Sequence, residues 1–350
     1  MTIAFIVPGA LDQLTGGYLF DRRIVDGLRD AGRAVTVHEL PGQFPEVDAA
    51  TRRAAAAVLG GLPDGSAAVI DGLALPAFAE CLIPEAARLK LVGFVHHPLA
   101  LETGLAAEAG QRFAALEMRL LPRLRGVLCP SEITGWAMQE YGVPRERIEI
   151  TRPGTDKPAP PPRRALHEGP LRLLAVGTVT PRKGHLLLIE ALAALDDRAW
   201  TLRCIGSLTR DPLTAAALER AIARHRRGDR VALEGDWPPD RIGIAYAEAD
   251  AFVLPSHHEG YGMAFAEALA HGLPIVGTSA GAVPEVVPAT ASLLVPPGDR
   301  DALVAALRLL LDNADLRARL AAGAVAAGAA LPDWPTAVRR WLAAFDRLAA

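Results

Sequence analysis

Cysteine is scarce in this chain, and the few present do not cluster. Cys81, Cys129 and Cys204 are the only three in 350 residues. An odd, scattered set without a CxxC pair argues against a disulfide framework or a cysteine zinc site and fits a reducing cytosol. Long apolar runs are also missing: none reaches the roughly 18 residues a membrane-spanning helix needs. The opening MTIAFIVPGALDQL lacks the basic start and the apolar length of a signal peptide. A cytoplasmic protein is therefore expected, with peripheral attachment to the inner face of a membrane left open. Excess charge is lacking too, and a formal net charge of −3 gives nucleic acid no handle. Neither GxGxxG after a leading strand nor GxxxxGK[ST] occurs, so dinucleotide oxidoreductases and P-loop kinases lose their main support. No repeat of solenoid period is found.

What is present is an apolar fraction of 51%, with 22% charged residues, in a chain long enough for two domains with large cores. Short β-branched runs alternate with alanine- and leucine-rich helical stretches. Strands are expected at 3–7, 34–38, 67–70, 91–95, 126–128 and 147–150, then at 171–176, 201–205, 231–233, 251–254, 274–276 and 292–295. Helices are expected between them, for example at 18–31 and 131–141, with Ser131 as N-cap and Gly142 as terminator. Strands alternating with helices of ten or more residues mean parallel sheets. Pro-rich 157–164 cannot enter a sheet or helix and reads as a stiff linker. The expected organisation is a first α/β domain at 1–156, a linker at 157–169 and a second α/β domain at 170–332. Helical runs follow at 303–311, 316–327 and 333–348.

The most informative segment is 257–272, directly after the strand at 251–254. Gly260 and Gly262 let the backbone turn sharply and approach a ligand. A helix then starts near Met263 and stops at Gly272. Free backbone N–H groups are thereby presented at the carboxyl edge of a parallel sheet, where α/β folds bind phosphate. Glu259 lies in the loop and Glu267 about one turn into the helix, so one carboxylate can reach beyond the phosphates and the other a diol on the nucleoside side. The plain alternative is an ordinary turn with solvated glutamates.

The run Glu259-Gly-Tyr-Gly-Met-Ala-Phe-Ala-Glu267, with seven residues between its glutamates, resembles the signature of family 4 retaining glycosyltransferases (glycosyl transferases group 1). The resemblance extends over 277–285, 176–184, 129–132 and 152–156, in the family's order along nearly the whole chain. It implies the GT-B fold, two Rossmann-like domains with parallel sheets facing a central cleft. The first would be an acceptor domain and the second a nucleotide-sugar donor domain. The last helix, 333–350, would pack back on the first domain. By this resemblance Glu267 would hold the ribose hydroxyls and Glu259 those of the transferred sugar. The backbone of Gly260, Tyr261, Gly262, Met263 and Ala264 would hold sugar and phosphate, and Lys183 would neutralise the leaving diphosphate. The family often carries arginine just after the glycine of that strand. Here the position is Thr178, and Arg182 is the candidate for the second positive charge. In the first domain Gly17, within Thr15-Gly-Gly-Tyr18, would allow close approach of the donor phosphate. His96 matches the family's histidine near the reacting carbon better than His97, which with Pro98 could instead cap a turn.

Other candidates read as structural. His271 closes a helix, where a cation suits the dipole. The basic run 224–227 reads as a solvated helix end. Arg112, Arg119 and Arg123 can share one helix face and meet anionic lipid, with Glu117 diluting the patch. Asp299-Arg-Asp301 spells an Asp-x-Asp metal motif. It precedes a helical run, though, and fits an N-cap and a first-turn acid better.

The function these readings imply is transfer of a hexose-type sugar from a UDP- or GDP-sugar to a hydroxyl of a glycan, lipid or small molecule. The anomeric configuration would be retained, with no metal and no cofactor besides the donor. No residue is convincingly placed as a covalent nucleophile. The alternatives are a GT-B sugar-nucleotide epimerase or phosphorylase, or a non-catalytic nucleotide-sugar-binding protein.

Overall fold

The computed structural model describes residues 2–102, 105–158 and 169–350. The chain forms two compact units. The first takes in Met1–Gly154 and Trp334–Ala350, and the second Thr155–Asp333.

In the first unit six strands alternate with helices: β1 (Ile3–Pro8), α1 (Gly16–Asp30), β2 (Val35–Leu40), α2 (Ala49–Gly60), β3 (Ala67–Asp71), α3 (Leu82–Glu85), β4 (Lys90–Phe94), α4 (Ala107–Leu120), β5 (Gly126–Cys129), α5 (Glu132–Glu140) and β6 (Ile148–Ile150). The strands form one parallel sheet in the order β2-β1-β3-β4-β5-β6. Every residue of β1, β3 and β5 is buried, because helices cover both faces of a parallel sheet. β2 lies at the edge, and Thr36 and Glu39 reach solvent.

The second unit repeats the plan: β7 (Leu171–Val176), α6 (His185–Ala193), β8 (Trp200–Ile205), α7 (Pro212–Arg224), β9 (Val231–Leu233), α8 (Pro239–Glu248), β10 (Ala251–Leu254), α9 (Met263–Ala270), β11 (Ile275–Thr278), α10 (Val283–Val286), β12 (Ser292–Val295), α11 (Arg300–Asp312) and α12 (Ala314–Ala330). Its parallel sheet runs β12-β11-β10-β7-β8-β9. All twelve strands expected from the sequence are present, within a residue or two.

The sheets differ in strand order. Read from the far edge, the second is the 3-2-1-4-5-6 order of dinucleotide-binding folds, and the first the 2-1-3-4-5 order extended by one strand. In both orders the chain reverses direction of growth at one point, between β7 and β10 in the second unit and between β1 and β3 in the first. Helices on opposite faces diverge there, and the gap they leave at the carboxyl ends is where such folds bind ligands.

A last helix, α13 (Trp334–Leu348), belongs to the first unit. Its Trp341 is fully buried against Phe5 of β1 and Phe94 of β4, at ring-centroid distances of 6.1 and 5.7 Å, and stacks on Phe345. Gly27 of α1 makes this packing close: a Cβ there would lie 2.4 Å from Val338 of α13. The proline-rich stretch assigned to 157–169 falls mostly on residues 159–168, which lie outside the described residues. Lys157 at its start donates to the Ala329 carbonyl, 2.8 Å away.

Local details follow from capping chemistry. The Ser131 and Asp299 side chains accept from the Thr134 and Ala302 N–H groups, as N-caps do. One surface reading needs correction and one a refinement. The run 224–227 is a helix end exposed at Arg224 and Arg226, as expected, but it is also anchored: Arg224 and His225 pair with Glu190 and Arg227 with Asp196, leaving the Arg227 side chain 12% exposed. Glu117 does not dilute the arginine face of α4, because it points inward, is fully buried and accepts from the Leu99 N–H. Among the described residues no helix is long and apolar enough to cross a membrane.

Candidate active site

In the second unit the switch point gathers the cluster indicated by the sequence. β10 ends at Leu254, and a tight loop carries Ser256 and Glu259 before α9 begins. Gly262, at φ +94°, is the N-cap of α9, a backbone conformation open to glycine and strained for any other residue. From the neighbouring β7, a short turn over Pro181–Lys183 brings two cations to the same place. Lys183 Nζ donates to both Glu259 carboxylate oxygens, at 2.7 and 3.0 Å. Arg182 lies 3.6 Å from the same carboxylate and donates to the His258 carbonyl at 3.1 Å. Ser256 Oγ donates to Glu259 Oε1 at 2.6 Å.

Glu259 is buried, which by itself would raise its pKa. The charges of Lys183 and Arg182 and the hydrogen bonds from Lys183 and Ser256 outweigh burial and hold it down at about 2. A permanently ionised carboxylate thus sits with two cations beside the N-terminus of a helix. Such a cluster can accept hydrogen bonds from hydroxyls and offer positive charge to phosphate.

Glu267 lies in the body of α9 and is held from behind. Tyr246 Oη of α8 donates to Glu267 Oε2 at 2.8 Å and lies 3.2 Å from the Ala264 carbonyl. His271 ends the helix as expected: its Nδ1 is 2.8 Å from the Glu267 carbonyl, and its ring stacks on Tyr246. Gly260 and Tyr261 are buried in the loop, while Met263 and Ala264 are partly exposed at the helix start.

The first unit has a second cluster at its own switch point. His96 follows β4, and its Nε2 lies 3.0 Å from Asp21 Oδ1 and 3.3 Å from Asp71 Oδ2. Asp21 comes from α1 and Asp71 ends β3, and both are buried. Phe94 and Phe20 flank the ring, with centroids 4.6 and 5.7 Å away. Gly17, at the start of α1, faces the same ring. An added Cβ would meet His96 Cδ2 at 3.4 Å, an ordinary contact, so packing within the protein does not demand glycine there. His97 turns elsewhere, with Nε2 2.8 Å from Glu102.

Sequence reasoning missed four residues of these clusters. Ser256 and Tyr246 gave no local signal, since their partners become neighbours only on folding. Asp71 ends an otherwise apolar strand just before a glycine, and Asp21 sits on the apolar stripe of α1 beside Phe20 and Ile24. Both were visible as acids on buried faces. The Asp-x-Asp pair at 299–301 is engaged at a helix start: Asp299 caps α11 at 2.9 Å and Asp301 lies 3.3 Å from Arg300.

The chain is similar to known proteins. Residues 170–313 match the model described as glycosyl transferases group 1, and residues 24–157 the model described as glycosyltransferase family 4. The amylovoran biosynthesis glycosyltransferase AmsK of Erwinia amylovora is 37% identical over 189 residues, 50% of this chain and 45% of that protein. A D-inositol 3-phosphate glycosyltransferase of Frankia alni is 29% identical over 272 residues, 71% of this chain and 67% of that one. The chain spans about half the length of the first of these curated relatives. Among solved structures, sucrose-phosphate synthase from Thermosynechococcus elongatus aligns with a TM-score of 0.83, covering 99% of this chain and 98% of that one at 19% identity. HepE of Anabaena, solved with UDP and glucose, aligns at 0.74, covering 97% and 98% at 19% identity. At such identity these structures speak to the fold alone, which is GT-B. The two family models take in most of both units and include Lys183, Glu259 and Glu267 on one side and His96 on the other. The chain belongs to the family 4 glycosyltransferases, the glycosyl transferases group 1.

Proposed function

We propose that the protein is a retaining glycosyltransferase that moves a hexose-type sugar from a nucleotide-diphosphate sugar to an acceptor hydroxyl without a metal. The observation that carries this reading is the Lys183–Arg182–Glu259 cluster beside the start of α9, between β7 and β10. In this reading the second unit holds the donor. Glu267, braced by Tyr246, accepts from the ribose diol, and Glu259 accepts from hydroxyls of the transferred sugar. Backbone N–H groups from Gly260 to Ala264 face sugar and phosphate. Arg182 and Lys183 take up the charge that grows on the diphosphate as the glycosidic bond breaks, an electrostatic role a metal plays elsewhere. The engagement of Asp299 in capping α11 supports the metal-free assignment.

The first unit holds the acceptor in this reading, and His96 acts near the reacting carbon. Gly17 leaves the start of α1 open to an anion. The exposed Arg112 and Arg119 of α4, and Arg123 in the turn that follows it, supply basic groups that suit an acceptor at an anionic membrane surface. A UDP-sugar is the first donor to try, because HepE was also solved with UDP-glucose.

The test is incubation with a panel of UDP- and GDP-sugars, with and without hydroxyl acceptors, after exhaustive EDTA treatment. NMR would read the anomeric configuration of the product. Transfer with retention in EDTA is expected. Interconversion of the donor without acceptor would identify an epimerase, and phosphate-dependent cleavage a phosphorylase. Loss of activity restored by magnesium or manganese would overturn the metal-free assignment.

A further inference from the structure

The cluster in the first unit has a charge problem that the second does not. Asp21 and Asp71 are buried, and among the described residues the one basic group that meets both is His96. With a neutral imidazole and two ionised carboxylates the set would carry two buried negative charges, which proteins avoid by taking up protons or a cation. Two protons bring the set to neutrality, one completing the imidazolium and one on a carboxyl group. Asp71 is the better site for the remaining charge, because its Oδ1 also accepts from the Leu73 N–H at 2.6 Å. Asp21 and Asp71 also share a side-chain hydrogen bond, which only a protonated carboxyl can donate, and it favours the proton on Asp21 and the charge on Asp71.

We propose that Asp21 and Asp71 are positioning residues that act through His96, fixing it as an imidazolium with Nε2–H turned inward so that Nδ1–H is the donor left to meet a substrate. This deepens the role given to His96 above and rests on it. Geometry carries the argument: α1, the end of β3 and the end of β4 converge on one ring, and Phe20 and Phe94 fix its plane. No described hydrogen bond engages Nδ1. The electrostatics agree in direction. Burial alone would lower the His96 pKa, but its hydrogen bonds to Asp21 and Asp71 and the negative charge those two acids share raise it. Burial and then the Asp71 charge raise Asp21 to about 8. Burial also pushes on Asp71, but hydrogen bonding and charge from His96 keep it below its ordinary value. The titratable groups facing the ring are Asp21 from α1 and Asp71 from β3, and β4 contributes only the uncharged ring of Phe94.

A divalent cation would neutralise the same two carboxylates, since the ligand-type atoms of Asp21, Asp71 and His96 lie within 4.8 Å of one another. The experiment must therefore separate a proton from a metal. The full chain would be labelled with 15N-histidine, and His96 identified by comparison with His96→Gln. Its ring nitrogens would be followed from about pH 5 to about pH 10 by long-range proton–nitrogen correlation. In the wild-type chain both nitrogens should keep imidazolium shifts to at least about pH 9. In Asp21→Asn/Asp71→Asn the midpoint should fall by two or more pH units, because burial remains and its compensation is gone. The double variant should also lose on the order of tenfold in kcat at about pH 8, regain part of it at about pH 5.5, and bind donor as before.

A wild-type midpoint near the ordinary histidine value would overturn the proposal, and this measurement requires no variant to fold. An unmoved midpoint in the folded double variant would overturn it as well. So would resonances of His96 that shift with added zinc, manganese or magnesium and return with EDTA. If the NMR results hold and His96→Gln turns over normally, the role of His96 in transfer fails while the protonation account stands.

Discussion

Each unit buries carboxylate at the carboxyl edge of its sheet, yet the two neutralise it by different means. In the second unit Glu259 faces the cations Lys183 and Arg182, and their charges keep the carboxylate ionised. In the first unit Asp21 and Asp71 face one imidazole, and protons make up the deficit. Cations beside Glu259 suit binding of an anion whose charge does not change. Protons shared among two acids and a histidine suit a group whose hydrogen-bonding direction must be fixed. Two parallel α/β sheets of different strand order thus support one site of constant charge and one of titratable charge.

The largest effect expected from breaking this contrast is at Lys183. Lys183→Ala leaves Glu259 buried with only Arg182 for charge compensation and removes a cation from the leaving diphosphate. We expect kcat to fall by roughly 10²–10³, as for other preorganised electrostatic groups, with a smaller change in donor affinity. Steady-state kinetics paired with calorimetric donor binding would check this. If only KM rises, Lys183 is a binding residue alone.

The pH dependence of stability should have opposite signs at the two sites. The Glu259 pKa is depressed from 4.5 to about 2, so its stabilisation is complete above 4.5 and lost as pH falls toward 2. The ceiling on this contribution is on the order of 3 kcal/mol. The Asp21 pKa is raised from 3.8 to about 8, so its share is complete below 3.8 and lost as pH rises through 8. Melting temperatures across pH should show Glu259→Gln flattening the dependence between about pH 2 and 4.5, and Asp21→Asn that between about pH 3.8 and 8. Both variants altering the same range would dissolve the distinction.

A smaller effect separates the two carboxylates of the second unit. Tyr246→Phe removes one buried hydrogen bond to Glu267, worth about 0.5–1.5 kcal/mol, so nucleoside-diphosphate affinity should drop by roughly three- to tenfold. Glu267→Ala should cost about tenfold or more. Equal affinities for Tyr246→Phe and the wild type, measured calorimetrically, would remove Tyr246 from the site.

Glu117 sharpens the comparison from outside both clusters. Burial raises its pKa from 4.5 to about 7 against hydrogen bonds from the Leu99 and Ala100 backbone, with no cation in support. Its raised pKa favours the folded state only below 4.5, and that favour fades as pH rises through about 7. Glu117→Gln should therefore stabilise the protein more at about pH 8 than at about pH 5, by an amount whose ceiling is on the order of 3 kcal/mol and which the amide's poorer match to the Leu99 N–H reduces. Thermal melts at both pH values would show it.

Legibility in the sequence divides along similar lines. The β-branched runs gave every strand, because parallel strands covered on both faces must be apolar along their length. The glycine-flanked loop from Glu259 to Glu267 made the second unit's cluster legible, because its chemistry is local: strand end, turn and helix start are consecutive. The switch points were not readable, since they depend on which strands pair, and the first unit's order differs from the second's. Asp21 and Asp71 lie 50 residues apart in sequence and meet only across the β1–β3 gap, so nothing near either one names the other. The ion pairs of the basic run 224–227 were hidden for a related reason, because its anchors Glu190 and Asp196 lie on an earlier helix and the loop after it.

The return of α13 has a consequence for how the chain is made. Phe5 and Phe94 pack on Trp341, which the ribosome reaches only after the whole of Thr155–Asp333 has been synthesised. The first sheet can pair as soon as β6 emerges, yet the face that receives α13 then stays apolar and uncovered. Translation at about 5–20 residues per second leaves it so for roughly ten to forty seconds. The second unit is continuous in sequence and can close before α13 appears. Vectorial synthesis would therefore finish the later unit first, leaving the earlier one dependent on chaperones during that interval.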